Sequence, residues 1–140
     1  MNSELITTVK KLLNGRKNIV IVGHKNPDGD AVGSCLGLCF FLKELGHKAT
    51  VIVPNDFPDF LKWLPGSETI TIYEKNSDDS LKLISEADLI FTLDFNSLSR
   101  IGAMQEPLEN SLAKFIMIDH HQQPDGYAVA AYSDTSMSST

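Results

Sequence analysis

Short apolar runs rich in β-branched residues alternate with segments of helical periodicity, and this alternation constrains the fold more than any other feature. The clearest runs are NIVIVG at 18–23, KATVIVP at 48–54, DLIFTLD at 88–94 and KFIMID at 114–119. Runs of this kind are typical of strands buried on both faces, and the segments between them can supply the helical crossovers that parallel strands need. The sequence therefore predicts an α/β fold: a doubly wound, mainly parallel sheet with helices on both faces.

Apolar residues recur at helical spacing in four segments, which are predicted to be helices: 2–14, 30–45, 78–87 and 105–111. Either Ser77 or Asp78 is expected to cap the third helix. The chain between the second strand and this helix is less regular, and its pattern predicts only a short helical turn at 60–64 and a brief strand at 70–73. An alternating stretch, GYAVAAY at 126–132, precedes a tail rich in serine and threonine.

Length, charge and the lengths of the apolar runs limit the classes of protein to which the chain can belong. The 140 residues fit one domain, and 12 basic against 18 acidic residues give a formal net charge of −6, which argues against a long electrostatic track for nucleic acid. No apolar run approaches the roughly 18 residues of a membrane span. The N-terminal stretch lacks the features of a signal peptide, so a cytoplasmic location is expected.

The second predicted helix carries several small residues. Cys35 and Cys39 are four residues apart and share one face of this helix, and without a CxxC spacing they are expected to be packed thiols. We also expect Ala31, Gly33 and Gly37 to let this helix approach the sheet closely.

Ionisable residues of the types that bind metals follow three of the predicted strands. They are His24, Asp28 and Asp30 after the first strand, Asp94 at the end of the fourth, and Asp119, His120 and His121 at the end of the fifth. The carboxyl ends of parallel strands meet at one edge of the sheet, which is where ligands bind in doubly wound folds. Several carboxylates at one rim repel each other unless a cation lies among them. The pattern therefore indicates a site for one or two divalent metal ions.

The ligand types favour one ion and one chemistry. Carboxylates mixed with imidazoles suit manganese, zinc or iron better than calcium or magnesium, and without a nearby thiolate manganese is favoured. Two metal ions about 3.5–4 Å apart that share a carboxylate and a water promote in-line attack at phosphorus. The sequence therefore predicts hydrolysis of a phosphoester or a phosphoanhydride.

Each of these residues also has a purely structural interpretation. Asp30 stands where a helix N-cap would, Asp28 with Gly29 is an ordinary turn pair, and Asp94 could cap the turn that follows it. A pair of histidines is compatible with a loop whose hydrogen bonds are satisfied. The metal-site hypothesis depends on the co-occurrence of ligand-type residues at three strand ends in one short domain.

Three motifs, taken in order, resemble motifs one to three of the DHH phosphoesterase family. They are GHKNPDGDAVGSCLGL, LDFNSLSRIG and IDHHQQPDGYA, and the triplet that begins at Asp119 is the family signature. The resemblance covers nearly the whole chain from Ile19 onward. The stretch from Asp28 to Ala31 is most similar to the branch of bifunctional oligoribonucleases and pAp phosphatases, often labelled exopolyphosphatase-related.

The resemblance implies a set of metal ligands. By this likeness His24 and Asp28 hold a first metal ion, Asp30 and His120 hold a second, and Asp94 bridges the two. The implied cofactor is a pair of divalent ions, with manganese as the expected metal.

The resemblance also implies groups that act on the substrate. His121 would face the phosphate as a hydrogen-bond donor or proton carrier, and Arg100 would lie near the phosphate, a task that suits a guanidinium. Asp119 would orient its neighbours in the motif as a hydrogen-bond partner.

The implied activity is that of a manganese-dependent phosphoesterase acting on short oligoribonucleotides or 3′,5′-bisphosphate nucleotides such as pAp. Two alternatives stay open: a pyrophosphatase or exopolyphosphatase on the same scaffold, and an inactive nucleotide-binding module. The family also has a fourth motif and a smaller C-terminal substrate-binding domain, which this sequence lacks, so 1–140 is expected to be an incomplete catalytic domain. Asp134 is expected to be a turn or cap residue. An uncovered sheet edge predicts aggregation or homodimer formation.

Overall fold

Helices and strands alternate along the chain in the order that the sequence predicts. The computed structural model describes residues 3–95, 98–119 and 130–133. The helices are α1 (Ser3–Leu12), α2 (Gly29–Glu44), α3 (Ser77–Glu86) and α4 (Gln105–Glu109), and 3-10 turns occupy Asp59–Leu61, Ser67–Thr69 and Leu98–Met104. The strands are β1 (Asn18–Val22), β2 (Lys48–Val53), β3 (Thr71–Ile72), β4 (Leu89–Leu93), β5 (Lys114–Asp119) and β6 (Ala130–Ser133).

The six strands form one sheet in the order β3-β2-β1-β4-β5-β6, and every neighbouring pair is parallel. The chain builds outward from β1 to β3, then returns to place β4 on the other side of β1. This arrangement confirms the predicted α/β class. The strand order reverses between β1 and β4, and at such a point the loops beyond the two strand ends diverge and leave a crevice.

Both faces of the sheet are buried in cores. Consecutive side chains of a strand point in opposite directions, so each strand contributes to both cores. In β1, Ile19 and Ile21 pack into a core with α1 and α2, whereas Val20 and Val22 pack into a second core with α3, α4 and the Leu98–Met104 turns. The continuous apolar runs of the sequence are thus the strands that contact both layers.

Two helix starts differ from their predictions. Helix α2 begins at Gly29, and its N-cap is Asp28, not Asp30, which lies in the first turn. Helix α3 has Asn76 at the N-cap position without a side-chain hydrogen bond, so the predicted caps Ser77 and Asp78 lie inside the helix. Sequence spacing alone does not select among adjacent residues that can all cap a helix.

The expected close approach through Gly33 and Gly37 is wrong. Both glycines are exposed on the outer face of α2, and a Cβ atom at either position would have no neighbour within 4 Å. The buried face of the helix carries larger residues instead. Cys35 and Cys39 lie on that buried face as free thiols, which confirms the packed-thiol prediction.

The irregular segment between β2 and α3 follows its prediction in part. Strand β2 ends at Val53, before Pro54, and the predicted helical turn is a 3-10 turn at Asp59–Leu61. The predicted strand at 70–73 shortens to Thr71–Ile72. Of the alternating stretch at 126–132, only the residues that belong to β6 are described. Among the described residues, no helix combines the length and apolarity needed to cross a membrane.

We expect Ile21→Ala to destabilise the protein by about 2–5 kcal/mol, because Ile21 is fully buried in a central strand and its truncation leaves a cavity. Leu112→Ala removes the same number of carbon atoms from a fully exposed side chain and should change stability by less than about 0.5 kcal/mol. Urea denaturation of both variants measures the difference. Equal losses would contradict the assignment of Ile21 to the core.

Candidate metal centre

The loop at 23–28, which joins β1 to α2, is held in place from both sides. The backbone N–H of Lys25 donates to the carbonyl of Arg100 at 2.9 Å, which fastens the loop to the chain after β4. Asn26 exchanges two hydrogen bonds of 2.7 Å with the side chain of Asn55, which follows β2. Asn26 has a φ of +53°, in the left-handed region that asparagine tolerates better than most residues. The loop is therefore a fixed platform for the side chains that flank it.

His24 lies at the centre of the candidate site and is only 6% exposed. Its Nδ1 lies 2.7 Å from the carbonyl oxygen of Lys25, and since a carbonyl only accepts, Nδ1 carries a proton and donates it. The other ring nitrogen, Nε2, lies 3.2 Å from Oδ2 of Asp94 and 3.9 Å from Oδ1 of Asp28. A lone pair on Nε2 would be repelled by these carboxylates, so this position favours a proton or a metal cation. The hydrogen bond to Asp94 accordingly raises the pKa of His24, against the opposing effect of burial.

Asp94 follows the last residue of β4 in a strained backbone conformation. Its φ of +65° lies in the left-handed region, and its backbone N–H donates to the carbonyl of Ile118 at 3.0 Å. The next residue, Phe95, is fully buried in the core on the α3 side of the sheet. The turn is thus held by packing on one side and by β5 on the other, and the Asp94 side chain is only 3% exposed. Strain of this kind concentrates at functional sites.

Asp28 combines the capping role that the sequence analysis assigned to Asp30 with a place in the candidate metal site. Its Oδ1 accepts a hydrogen bond of 2.9 Å from the backbone N–H of Ala31, so it caps α2. The same carboxylate belongs to a group with His24 and Asp94 in which one ligand atom from each residue lies within 4.8 Å of the others. The Asp28 side chain is 63% exposed, so the cluster opens to solvent on this side.

The chemistry and spacing of these three residues fit a divalent metal ion. Two ligands at about 2.0–2.2 Å from one ion lie at most about 4.4 Å apart, so only small shifts are needed to close the cluster on an ion. His24 Nδ1 forms a hydrogen bond with a backbone carbonyl. Hydrogen bonds of this kind, made by the ring nitrogen that does not bind the metal, orient metal-binding imidazoles. One imidazole with two carboxylates is typical of sites for manganese, iron or zinc.

Asp30, the fourth expected ligand that the structure describes, lies near the cluster without joining it. Its Oδ1 accepts a hydrogen bond of 3.0 Å from the hydroxyl of Ser34, one turn along α2. Cys35 lies close to both carboxylate positions: burial raises the pKa of its thiol, and the charges of Asp94 and Asp30 raise it further. The Cys35 thiol near these two carboxylates is therefore neutral. The role of Asp30 in a second metal site stays a prediction.

The other predicted site residues are described only in part. Arg100 is half-buried in the turns after β4, and its carbonyl accepts from Lys25 of the His24 loop. The backbone of Asp119 ends β5 and pairs with β6, so it reaches the same sheet edge as Asp94, but its side chain lies outside the described part of the chain. His120 and His121 also lie outside the described residues.

Two features of the site were missed by sequence reasoning. The hydrogen bonds that fix the 23–28 loop come from Asn55 and from the backbone of Arg100, which are remote in sequence and carry no recognisable pattern. A groove beside Asp28, with Phe60 on its wall, was also not anticipated. The sequence contains no signal that distinguishes Phe60 from the exposed Trp63 three residues later.

The chain is similar in sequence to known proteins. Residues 18–140 match the sequence model described as the DHH family, N-terminal domain. The chain is 39% identical over 117 residues to the bifunctional oligoribonuclease and PAP phosphatase NrnA of Thermus thermophilus, covering 84% of this chain and 31% of that protein. It is 30% identical over 139 residues to the NrnA of Bacillus subtilis, covering 99% of this chain and 39% of that protein.

Solved structures show the same fold. The crystal structure of an exopolyphosphatase-related protein from Bacteroides fragilis has a TM-score of 0.96 and 45% identity, covering 99% of this chain and 41% of the other. RecJ from Thermus thermophilus, solved with Mn²⁺, has a TM-score of 0.51 and 18% identity, covering 96% of this chain and 17% of the other, so it supports the fold alone. This chain spans less than half of each of these proteins.

The two roles of Asp28 are separable by substitution. Asp28→Asn keeps an oxygen that can cap α2 and should leave the unfolding free energy nearly unchanged in EDTA, whereas Asp28→Ala should lose about 0.5–2 kcal/mol. Both variants should bind Mn²⁺ more than about tenfold more weakly by calorimetric titration, because each loses a charged ligand. Asp79→Asn, on the exposed start of α3, is the control. Wild-type Mn²⁺ affinity in Asp28→Asn would mean that Asp28 is a cap only.

Proposed function

The chain belongs to the DHH family of phosphoesterases, and from this premise we propose that it hydrolyses short oligoribonucleotides or 3′,5′-bisphosphate nucleotides such as pAp with the help of two divalent metal ions. The observation that supports the proposal most directly is the convergence of His24, Asp28 and Asp94 where the strand order reverses. The substrate class is supported by the names of the two NrnA relatives, which describe oligoribonuclease and PAP phosphatase activities.

The proposed ligand set extends the described cluster. His24 and Asp28 would hold one ion, Asp30 and His120 would hold a second, and Asp94 would serve both. In the structure the Oδ1 of Asp30 accepts a hydrogen bond from the hydroxyl of Ser34. Manganese is the proposed metal, because the ligands combine imidazole with carboxylate. Ions bound here would lower the pKa of a coordinated water and polarise the phosphoryl oxygens.

The protein itself contributes position and electrostatics. Burial and the backbone hydrogen bond to Ile118 restrict Asp94, so it would bind a cation with little further loss of side-chain freedom. Burial of His24 and Asp94 lowers the local dielectric, which strengthens their attraction for a cation bound between them. The hydrogen bond from Lys25 to the Arg100 carbonyl keeps the Arg100 segment beside this site.

We propose that Arg100 and His121 act on the substrate phosphate. A guanidinium offers a planar pair of donors that matches two phosphate oxygens, and it stays charged at every working pH. His121 is assigned as donor or proton carrier, and Asp119 as the hydrogen-bond partner that orients the motif. These three roles follow from the family resemblance.

Hydrolysis assays on pAp, a ribotrinucleotide and pyrophosphate test the function. With Mn²⁺ the protein should release phosphate from pAp and shorten the trinucleotide, and EDTA should abolish both reactions. Turnover of pyrophosphate alone would favour the alternative suggested by the exopolyphosphatase-related structure. No turnover and no calorimetric Mn²⁺ binding would favour an inactive module.

Asp94→Asn should lower kcat/KM for pAp by more than about 100-fold, because the variant loses the charge that bridges the two proposed ions. Its molar ratio of bound Mn²⁺, measured by calorimetry, should fall from two to one or less. Asp79→Asn should match the wild-type protein in both measurements. Full activity with two bound ions in Asp94→Asn would contradict the bridging role.

Arg100→Lys keeps a positive charge and loses the planar fork, so kcat/KM for pAp should fall about 10- to 100-fold, with Mn²⁺ affinity unchanged. The chain has a matched control in Arg16, the other arginine of the sequence, which is exposed in the segment between α1 and β1. Arg16→Lys should retain wild-type kinetics. Unchanged kinetics in Arg100→Lys would remove Arg100 from the proposed phosphate site.

A further inference from the structure

A groove with a volume of about 450 Å³ opens directly beside Asp28. One wall is the turn from Asn26 to Gly29, and the other is the segment from Asp56 to Phe60. Small-molecule sites usually range from about 300 to 1,000 Å³, so the groove can hold one compact group. Because Asp28 belongs both to this lining and to the metal cluster, the groove is adjacent to the candidate metal centre.

The groove presents an aromatic ring on a rigid support. Phe60 is 70% exposed and stands in the 3-10 turn at Asp59–Leu61. The following Leu61 is buried in the core, and its backbone N–H donates to the carbonyl of Pro58 at 3.0 Å. The opposite wall is fixed by the two hydrogen bonds between Asn26 and Asn55. The backbone that carries Phe60 and the opposite wall are therefore both anchored, and the Phe60 side chain lines the groove between them.

The charges along the groove disfavour a phosphate chain as its occupant. The two charged groups among its described lining residues are the carboxylates of Asp28 and Asp56, and no lysine or arginine lines it there. The Asp56 carboxylate already forms two salt bridges, from Oδ1 to Nζ of Lys62 at 2.6 Å and from Oδ2 to Nζ of Lys75 at 2.8 Å. The rest of the lining is mostly apolar, so an uncharged planar group fits better than an anion.

We propose that this groove is a base-binding subsite, in which Phe60 stacks on the nucleobase of a nucleotide whose phosphate lies at the metal centre. The inference rests on the proposed function, because the phosphate end is placed by the metal ions. It adds a residue that selects nucleotides over pyrophosphate and polyphosphate, which carry no base. Stacking accepts any base, so the subsite discriminates weakly among the four nucleotides.

Two probes that differ only in the base test the subsite: adenosine 5′-phosphate and ribose 5-phosphate, titrated calorimetrically into the purified protein with Mn²⁺ present. The wild-type protein should bind the adenosine compound more tightly. Phe60→Ala should weaken that binding about 5- to 150-fold and leave the ribose phosphate affinity unchanged, and Phe60→Tyr should restore it. Phe41→Ala truncates an exposed phenylalanine of α2 that does not line the groove, and it should behave as wild type.

Other outcomes would overturn the subsite. Equal losses for both probes in Phe60→Ala would indicate a structural role, and no loss for either would remove Phe60 from binding. A wild-type protein that binds the two probes equally, or binds neither, would also refute it. A changed oligomeric state of Phe60→Ala on size-exclusion chromatography, with unchanged probe affinities, would assign the ring to a protein contact instead.

Turnover of pAp, measured on the same preparation, separates this proposal from the proposed function. Binding that depends on the base, without turnover, would overturn the hydrolytic function and support the groove. Turnover without base dependence would overturn the groove alone.

Discussion

The rest of the site depends on the position of one imidazole nitrogen, the Nε2 of His24. His24 Nε2 is enclosed by two carboxylates, while the other ring nitrogen is committed to the carbonyl of Lys25. Such an arrangement is stable only with a positive charge between the groups, supplied by a proton or by a metal ion. The sheet order that sets β4 against β1, the left-handed turn at Asp94 and the fixed loop before α2 all serve to maintain this contact.

Much of the fold follows from the sequence because its signals are local. The apolar runs predict strands and the periodic segments predict helices, so α/β layering follows from pattern alone. Convergence at one sheet edge also follows, since parallel strands end on the same side, and the structure brings His24, Asp28 and Asp94 together there. Periodicity carries no information on which strands are neighbours, so the placement of β1 beside β4 needed the structure.

The failed predictions concern details that depend on tertiary contacts. Asp28 and Asp30 are equally able to cap α2, and the hydrogen bonds of Asn26 to the distant Asn55 are among the contacts that fix the loop leading into the helix. The rotation of α2 about its axis is set by the residues that it buries, which leaves Gly33 and Gly37 on the outside. The groove at Phe60 lies in the least regular part of the chain, where pattern-based prediction has little to use.

Asp28 caps a helix and belongs to the candidate cation site, so it couples helix initiation to cation binding. The Oδ1 atom that caps α2 is also the Asp28 oxygen near the His24 Nε2, so one oxygen contributes to helix initiation and to the cation site. A cation that interacts with this oxygen changes the strength of its hydrogen bond with the N–H of Ala31, and a change in that hydrogen bond alters the affinity for the cation. Ion occupancy at the sheet edge is thereby thermodynamically linked to fraying of the first turn of α2, and the amide of Ala31 becomes a local reporter of whether the site is filled.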